Sequence, residues 1–379
     1  MGTMTGQPPR RLSTGAPAHR PDRCVIGIRE LGHLTSTERA TLEAVTNRFP
    51  FRANDYYLQL IDWDDPDDPI RRLVIPDASE LEDFGSLDAS DEACNTPLPG
   101  LQHKYPDTAL LLVTDQCAGF CRYCFRKRLF SPENRETVRD VSAGLDYLRS
   151  HHEITDVLLT GGDSLSLPTT RLEEILERIS SIAHVQTIRL GSKMLAYNPS
   201  RVLSDARLQA LMRRTVDSGK ALYLMCHFDH PRELTPSAAE GLAVVQRLGV
   251  QCVNQSPITA GINDDVDTLA SLMQACTHLG CPQYYLFQCR PTVGNAGFAV
   301  PITRALSIVS GARARVSGLS RRARYCLSHA TGKIEIVGLD DERVYARYHR
   351  AKNPADEGRI LVYARDDRAV WLDELTPVR

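Results

Sequence analysis

Three cysteines carry the plainest chemistry in the chain. They stand in the run Thr114-Asp-Gln-Cys-Ala-Gly-Phe-Cys-Arg-Tyr-Cys-Phe-Arg-Lys-Arg128, spaced Cys117-x3-Cys121-x2-Cys124. Three thiolates on a tight loop hold three irons of a [4Fe–4S] cube and leave the fourth iron without a protein ligand. An open iron suits a cluster that binds and reduces a small molecule rather than only passing electrons. Zinc is a competing occupant. A structural zinc takes four ligands, and no fourth Cys or His stands close by in sequence, although a distant one would complete the set. Three chance cysteines in a core are the plain alternative.

Such a loop needs elements to hold it, and the surrounding sequence supplies a regular series. Short apolar and β-branched runs occur at 109–114, 155–160, 185–190, 221–226, 250–255 and 283–288. Helical patterns follow at 138–151, 170–183, 204–217, 235–248, 265–279 and 301–312. Strand and helix in alternation predict a parallel sheet with right-handed crossovers, an α/β fold. Six such units predict a partial, TIM-like (β/α)6 barrel spanning 106–315; a closed barrel needs eight. Chemistry in such barrels sits at the C-terminal ends of the strands, and the cysteine loop follows the first strand.

The other strand ends are polar as well: Thr160-Gly-Gly-Asp163, Gly191-Ser-Lys193, Cys226-His-Phe-Asp-His230, Asn254-Gln-Ser256 and Gln288-Cys-Arg290. One polar residue at one strand end caps a helix. Polar groups at all of them predict a shared pocket. The paired glycines Gly161 and Gly162 allow close backbone approach, and Asp163 beside them is an acceptor for an ammonium group.

The flanks differ from this core. Residues 1–23, rich in Pro, Gly and Arg without an apolar stretch, read as a disordered tail rather than a signal peptide. Residues 24–105 read as an accessory region. It has an amphipathic helix over 34–49 capped by Ser36 or Thr37, and a loose acidic connector over 78–100. Residues 316–379 read as an antiparallel β-appendage, with strands at 333–337, 343–348, 360–363 and 369–372. A net charge of −2 gives no basic excess for nucleic acid, and no apolar run is long enough for a membrane span. Eleven cysteines with three on one loop suit a reducing, cytoplasmic setting better than a disulfide framework.

Taken together these motifs resemble the lysine 2,3-aminomutase family of radical S-adenosylmethionine (SAM) enzymes. The likeness runs through Tyr56-Tyr-Leu-Gln-Leu-Ile-Asp62, Pro97-Leu-Pro-Gly-Leu-Gln-His-Lys-Tyr-Pro106 and the cysteine loop. It continues in Leu158-Leu-Thr-Gly-Gly-Asp163, Ile188-Arg-Leu-Gly-Ser192, His227-Phe-Asp-His-Pro231, Asn254-Gln-Ser256 and Tyr284-Tyr-Leu-Phe-Gln-Cys289. The resemblance implies a radical SAM barrel in which Cys117, Cys121 and Cys124 bind a [4Fe–4S] cluster. It implies that Gly161, Gly162 and Asp163 meet the methionyl end of SAM, and that Ser192, His227 and Gln255 line the SAM pocket. A separate electron donor of the flavodoxin or ferredoxin kind is implied too.

The chain departs from that family in three places. The family's lysine that holds pyridoxal phosphate (PLP) lies in a Gly-rich segment. Here Val316-Ser-Gly-Leu319 and Ser320-Arg-Arg-Ala-Arg324 run directly into the strand Tyr325-Cys-Leu-Ser-His329, and that segment is missing. Lys333, the nearest lysine, reads as structural, which puts PLP in doubt. Second, Arg290 stands where the lysine-specific enzymes carry an aspartate, so a guanidinium would repel lysine and favour an anion. Arg126 resembles a family arginine that contacts cofactor and substrate, and is assigned with Arg290 to the substrate. Third, the family's C-terminal cysteine-rich segment is absent, leaving homo-oligomer formation open.

The reading that follows is a radical SAM enzyme whose 5′-deoxyadenosyl radical abstracts hydrogen from an anionic, amino-acid-like small molecule without PLP. Rearrangement, elimination or oxidation would complete it. Tyr325, Cys326 and Cys289 are the candidates for quenching or oxidising the product radical. The alternatives are a PLP-dependent 2,3-aminomutase acting on an acidic amino acid, and a non-catalytic iron–sulfur protein.

Overall fold

The computed structural model describes residues 23–131 and 134–378, so all of the expected disordered tail except Arg23 lies outside the described residues. The accessory region opens with β1 (Cys24–Val25) and α1 (Ser36–Arg48), and β2 (Ala53–Asn54) pairs antiparallel with β1. The cap of α1 is Thr35, one residue earlier than expected. Its hydroxyl accepts from the Glu38 amide at 3.2 Å, while the Glu38 carboxylate accepts from the Thr35 amide at 2.9 Å, a reciprocal arrangement that outcompetes Ser36 or Thr37. Two short helices follow, α2 (Asp55–Leu58) and α3 (Pro69–Val74). The connector over 78–100 is not loose. It carries buried acids, Glu80 and Glu92, whose partners lie in the cysteine loop.

Next come β3 (Leu101–Tyr105) and then alternating strands and helices: β4 (Thr108–Thr114), α4 (Ser142–Ser150), β5 (Asp156–Gly161), α5 (Thr169–Ser180) and β6 (Thr187–Ser192). Two single turns, α6 (Met194–Tyr197) and α7 (Ser200–Leu203), precede α8 (Ala206–Asp217). The alternation resumes with β7 (Ala221–Cys226), α9 (Pro236–Arg247), β8 (Gln251–Ile258), α10 (Val266–His278), β9 (Gln283–Gln288) and α11 (Ile302–Ala314). The chain ends with β10 (Arg324–His329), β11 (Gly332–Leu339), β12 (Arg343–Ala351) and β13 (Ile360–Ala364).

All strands from β3 to β13 join one 11-stranded sheet, in the order β13-β12-β11-β10-β9-β8-β7-β6-β5-β4-β3. This is a mixed α/β fold with a large, mostly parallel sheet. The six strand–helix units are present, and a seventh strand, β10, then pairs parallel with β9. Strands β11 to β13 continue the same sheet antiparallel, and the expected strand over 369–372 is instead a loop ending in a 3-10 turn at Leu372–Glu374.

The local reasons are ordinary. Helix α5 buries Leu172, Ile175, Leu176 and Ile179, one stripe at helical spacing. Asp205, Thr235 and Asp265 cap α8, α9 and α10. Along β6 the burial alternates, with Ile188 and Leu190 buried and Thr187, Arg189 and Gly191 partly open. On this strand one face therefore packs beneath helices while the other is only partly covered.

Candidate active site

The cysteine loop leaves β4 and is clamped from two sides. From the neighbouring strand end, the Gly162 amide donates to the Thr114 carbonyl at 2.6 Å and the Asp163 amide to the Gln116 carbonyl at 2.8 Å. Gly161 has φ +115°, and a Cβ there would lie 2.4 Å from the Thr114 oxygen; one on Gly162 would lie 2.4 Å from the Gln116 oxygen. The two glycines are thus required by the loop itself. From the accessory region, the Phe120 amide donates to the Arg52 carbonyl and the Arg122 amide to the Leu73 carbonyl, each at 2.9 Å. The Arg122 guanidinium, 2% exposed, forks onto Glu80 with two bonds of 2.8 Å, and Lys127 reaches the same carboxylate at 3.0 Å.

Cys117, Cys121 and Cys124 are free thiols, each partly accessible. Burial pushes all three up, Cys121 to about 12 against the pull of the Lys193 ammonium. Thiolates there require a metal to hold them. Three thiols on one clamped loop, with no fourth Cys or His beside them in sequence, are a donor set that fits three irons of a [4Fe–4S] cluster.

The residues assigned to SAM are largely engaged in building the strand ends. The Asp163 carboxylate accepts from the Leu165 amide at 2.9 Å and the Lys193 amide at 2.8 Å. Burial raises its pKa, and the Ser192 hydroxyl and these amides oppose that rise. Ser192 also accepts from the Met194 amide at 2.9 Å. His227 meets the Tyr123 hydroxyl at 2.8 Å, which ties the end of β7 to the cysteine loop. Gln255 is half-buried on β8, and its neighbour Asn254 clamps the Phe228 backbone through both its amide oxygen and nitrogen.

Behind Cys121 lies a buried network that the sequence did not announce. The Lys193 ammonium binds Asp229 at 2.7 Å, Glu233 at 2.5 Å and the His227 carbonyl at 3.0 Å. Tyr57 donates to Glu233 at 2.6 Å, and Tyr123 donates to Asp229. In spite of burial, Asp229 and Glu233 hold Lys193 firmly protonated. The Tyr197 hydroxyl lies 3.5 Å from the Cys121 sulfur.

Arg126 and Arg290 come together around an acid of the chain, Glu92. Arg126 forks onto Glu92 at 2.9 and 3.1 Å and donates to Thr160 at 3.1 Å. Arg128 takes Glu92 at 2.6 Å. Against the penalty of burial, Arg126, Arg290 and Arg128 hold the Glu92 carboxyl well below the usual range. Arg290 stacks on Phe125 at 3.6 Å, so it reaches back to the residue beside Cys124. Its nearest carboxylate oxygen, on Glu92, is 3.9 Å away, and its buried Nη1 has no hydrogen-bond partner among the described residues. Burial lowers its pKa to about 10.

The three quenching candidates separate. Tyr325 packs on the helix side of β10 and donates to Gln288, away from the open face. Cys326, next along the strand, projects to the other face, and burial pushes its thiol up to about 12. Cys289 is likewise buried and pushed up to about 12, with Lys127 and Arg290 pulling it back. Lys333 lies over the Tyr285 ring at 4.3 Å and the Phe287 ring at 5.3 Å. Burial, then repulsion from Arg189, Arg290 and Lys104, lowers its pKa to about 8, against the pull of Cys326. The connection from α11 to β10 is short, Arg315 to Ala323, and contains no lysine.

No family model matches the chain. Among curated proteins it is 52% identical over 353 residues to one from Aquifex aeolicus (strain VF5) named "Putative L-lysine 2,3-aminomutase", covering 93% of this chain and 94% of that one. It is 32% identical to the L-lysine 2,3-aminomutase of Acetoanaerobium sticklandii, covering 75% of this chain and 68% of that enzyme. It is also 32% identical to the glutamate 2,3-aminomutase of Clostridioides difficile (strain 630), covering 76% and 67%. With the cysteine loop at the end of the first parallel strand and relatives at this level over most of its length, the chain belongs to the lysine 2,3-aminomutase family of radical SAM enzymes.

Proposed function

We propose that this enzyme abstracts a hydrogen atom from an anionic, amino-acid-like small molecule held next to the cysteine loop, without PLP. We read the parallel strands as the wall of a partial barrel, with the substrate on its open face. The observation that carries the anionic substrate is Arg290. A buried guanidinium with an unbonded Nη1 and a share in a carboxylate already taken by two other arginines is costly unless an anion completes it.

Cys117, Cys121 and Cys124 would hold the cluster, while the strand ends at Gly161–Asp163, Ser192, His227 and Gln255 surround the space for SAM. When bound, the cluster and SAM together supply the 5′-deoxyadenosyl radical that takes the hydrogen atom. The chain's own work is positioning. Arg290 orients the substrate anion, Glu92 holds Arg126 and Arg128 in place, and the packed accessory region keeps bulk water from the loop. A low-potential donor of the flavodoxin or ferredoxin kind delivers the electron.

Anaerobic reconstitution followed by dithionite and SAM tests this reading. 5′-Deoxyadenosine should form, and faster with acidic than with basic amino acids. A protein holding four irons that releases none would sink it. A second reading, a PLP-dependent aminomutase of acidic amino acids, is favoured by Lys333 alone, an amine over the Tyr285 and Phe287 rings whose pKa burial depresses. Borohydride treatment after adding PLP decides: a stoichiometric adduct on Lys333 would establish that reading. Lys193 should not react, since its ammonium is held by two carboxylates.

A further inference from the structure

We propose that Tyr197 is a positioning residue for the iron–sulfur cluster, its hydroxyl donating to the Cys121 sulfur and making the cluster easier to reduce. This rests on the cluster assignment made above. The oxygen–sulfur distance is 3.5 Å. Between a free thiol and a phenol either atom could donate, but a sulfur bound to iron carries no proton, so the hydroxyl must.

Tyr197 is fixed from several sides. It is 2% exposed, its ring lies 4.2 Å from that of Tyr57, and its carbonyl accepts from the Asn54 side chain at 2.9 Å. The cysteine loop is itself shaped to this ring. A Cβ on Gly119 would lie 2.4 Å from the Tyr197 Cε1. Gly119 is not among the glycines with positive φ, so its backbone does not demand glycine; the ring does. Hydroxyl and ring therefore both register on the loop, one at Cys121 and one at Gly119.

Reduction adds one electron to the cluster, [4Fe–4S]2+ to [4Fe–4S]+, taken from a low-potential one-electron donor that is itself oxidised. The added charge spreads onto the sulfur ligands, and hydrogen bonds to those sulfurs are among the determinants of cluster potential. A donor at Cys121 stabilises the reduced state more than the oxidised one. The Lys193 ammonium, 5.7 Å from the Tyr197 ring, acts in the same direction but independently of the hydroxyl.

The test is a dithionite titration, followed by electron paramagnetic resonance, of the full chain reconstituted anaerobically without SAM. Tyr197→Phe removes only the hydroxyl. At a fixed poise the reduced-to-oxidised ratio should fall about tenfold, equivalent to ~59 mV for a one-electron couple, with iron content unchanged. Tyr345→Phe, on β12 among the C-terminal strands, should change nothing. Placing 3-fluorotyrosine at position 197, a stronger donor of nearly the same shape, should move the potential the other way, which a purely structural role would not do. An unchanged potential in both variants at full iron content overturns the proposal. So does loss of iron in Tyr197→Phe together with no shift from fluorotyrosine. A wild-type chain that holds no cluster overturns the functional reading instead, and iron analysis alone tells the two failures apart.

Discussion

Arg290 and Lys333 are desolvated cations whose surroundings do not fully neutralise them, and each makes a measurable prediction. Arg290→Asp replaces attraction with repulsion at a desolvated contact and should lower kcat/KM for the true substrate by about 2–5 kcal/mol equivalent. Arg290→Lys keeps the charge, loses the planar fork and should cost less. Arg207→Asp is the control, since Arg207 is exposed and pairs with Glu173 on the helix layer. Unchanged turnover by Arg290→Asp would remove the anionic substrate. For Lys333 the sign follows from its lowered pKa of about 8. Below pH 8 the fold must carry the ammonium and bears the full penalty. Between pH 8 and the ordinary lysine value the unfolded chain binds the extra proton, so stability rises with pH there. Lys333→Met should therefore raise the melting temperature at pH 7, and that gain should shrink steadily toward pH 10. A gain that is constant with pH would place the amine in solvent.

At the scale of elements, the cysteine loop is held by its neighbours more than by itself. Gly161 turns through φ +115° against the Thr114 carbonyl. Gly161→Ala is strained in that conformation and brings a methyl into the oxygen, so the loop must shift. Iron per chain after reconstitution should fall well below that of wild type, while circular dichroism stays native. The connector supplies the second hold. Glu80→Gln would leave Arg122 and Lys127 buried without their carboxylate, and should cost about 3–5 kcal/mol in chemical denaturation. A loss under 1 kcal/mol would mean that the pair is solvated in solution.

Over the whole molecule, the C-terminal strands continue the main sheet and share its packing. Ile334, Ile336, Val344, Ala346, Tyr348 and Trp371 share one buried cluster with α10, α11 and Tyr325 of β10. A chain ending at Thr331 would strip that cluster and leave β10 as an unpaired edge, which invites aggregation. It should give no soluble native protein, as judged by yield and circular dichroism. A soluble truncated chain that still takes up iron would show that the parallel strands fold alone.

Much of this architecture was legible in the sequence, because the signals for it are local. The six parallel runs from 109 to 288 matched observed strands with shifts of a few residues, since buried parallel strands read as apolar runs and their helices repeat at helical spacing. The cysteine spacing and the Gly-Gly-Asp turn were equally local. What the sequence could not assign was partnership. Arg324–His329 was read as the start of an appendage, yet it pairs parallel with β9, a choice made by the sheet edge that β9 leaves open. An acidic connector that looked solvated delivers Glu80 and Glu92 into the arginines of a loop more than thirty residues away. Lys193 looked like any polar strand end until Asp229 and Glu233 closed on it, and nothing near Tyr197 in sequence points to Cys121. Local pattern determined which residues form strands, helices and the metal-binding loop. Only the tertiary structure decided which buried charges are neutralised, because that depends on groups brought together from distant parts of the chain, and it leaves Arg290 with an unbonded Nη1.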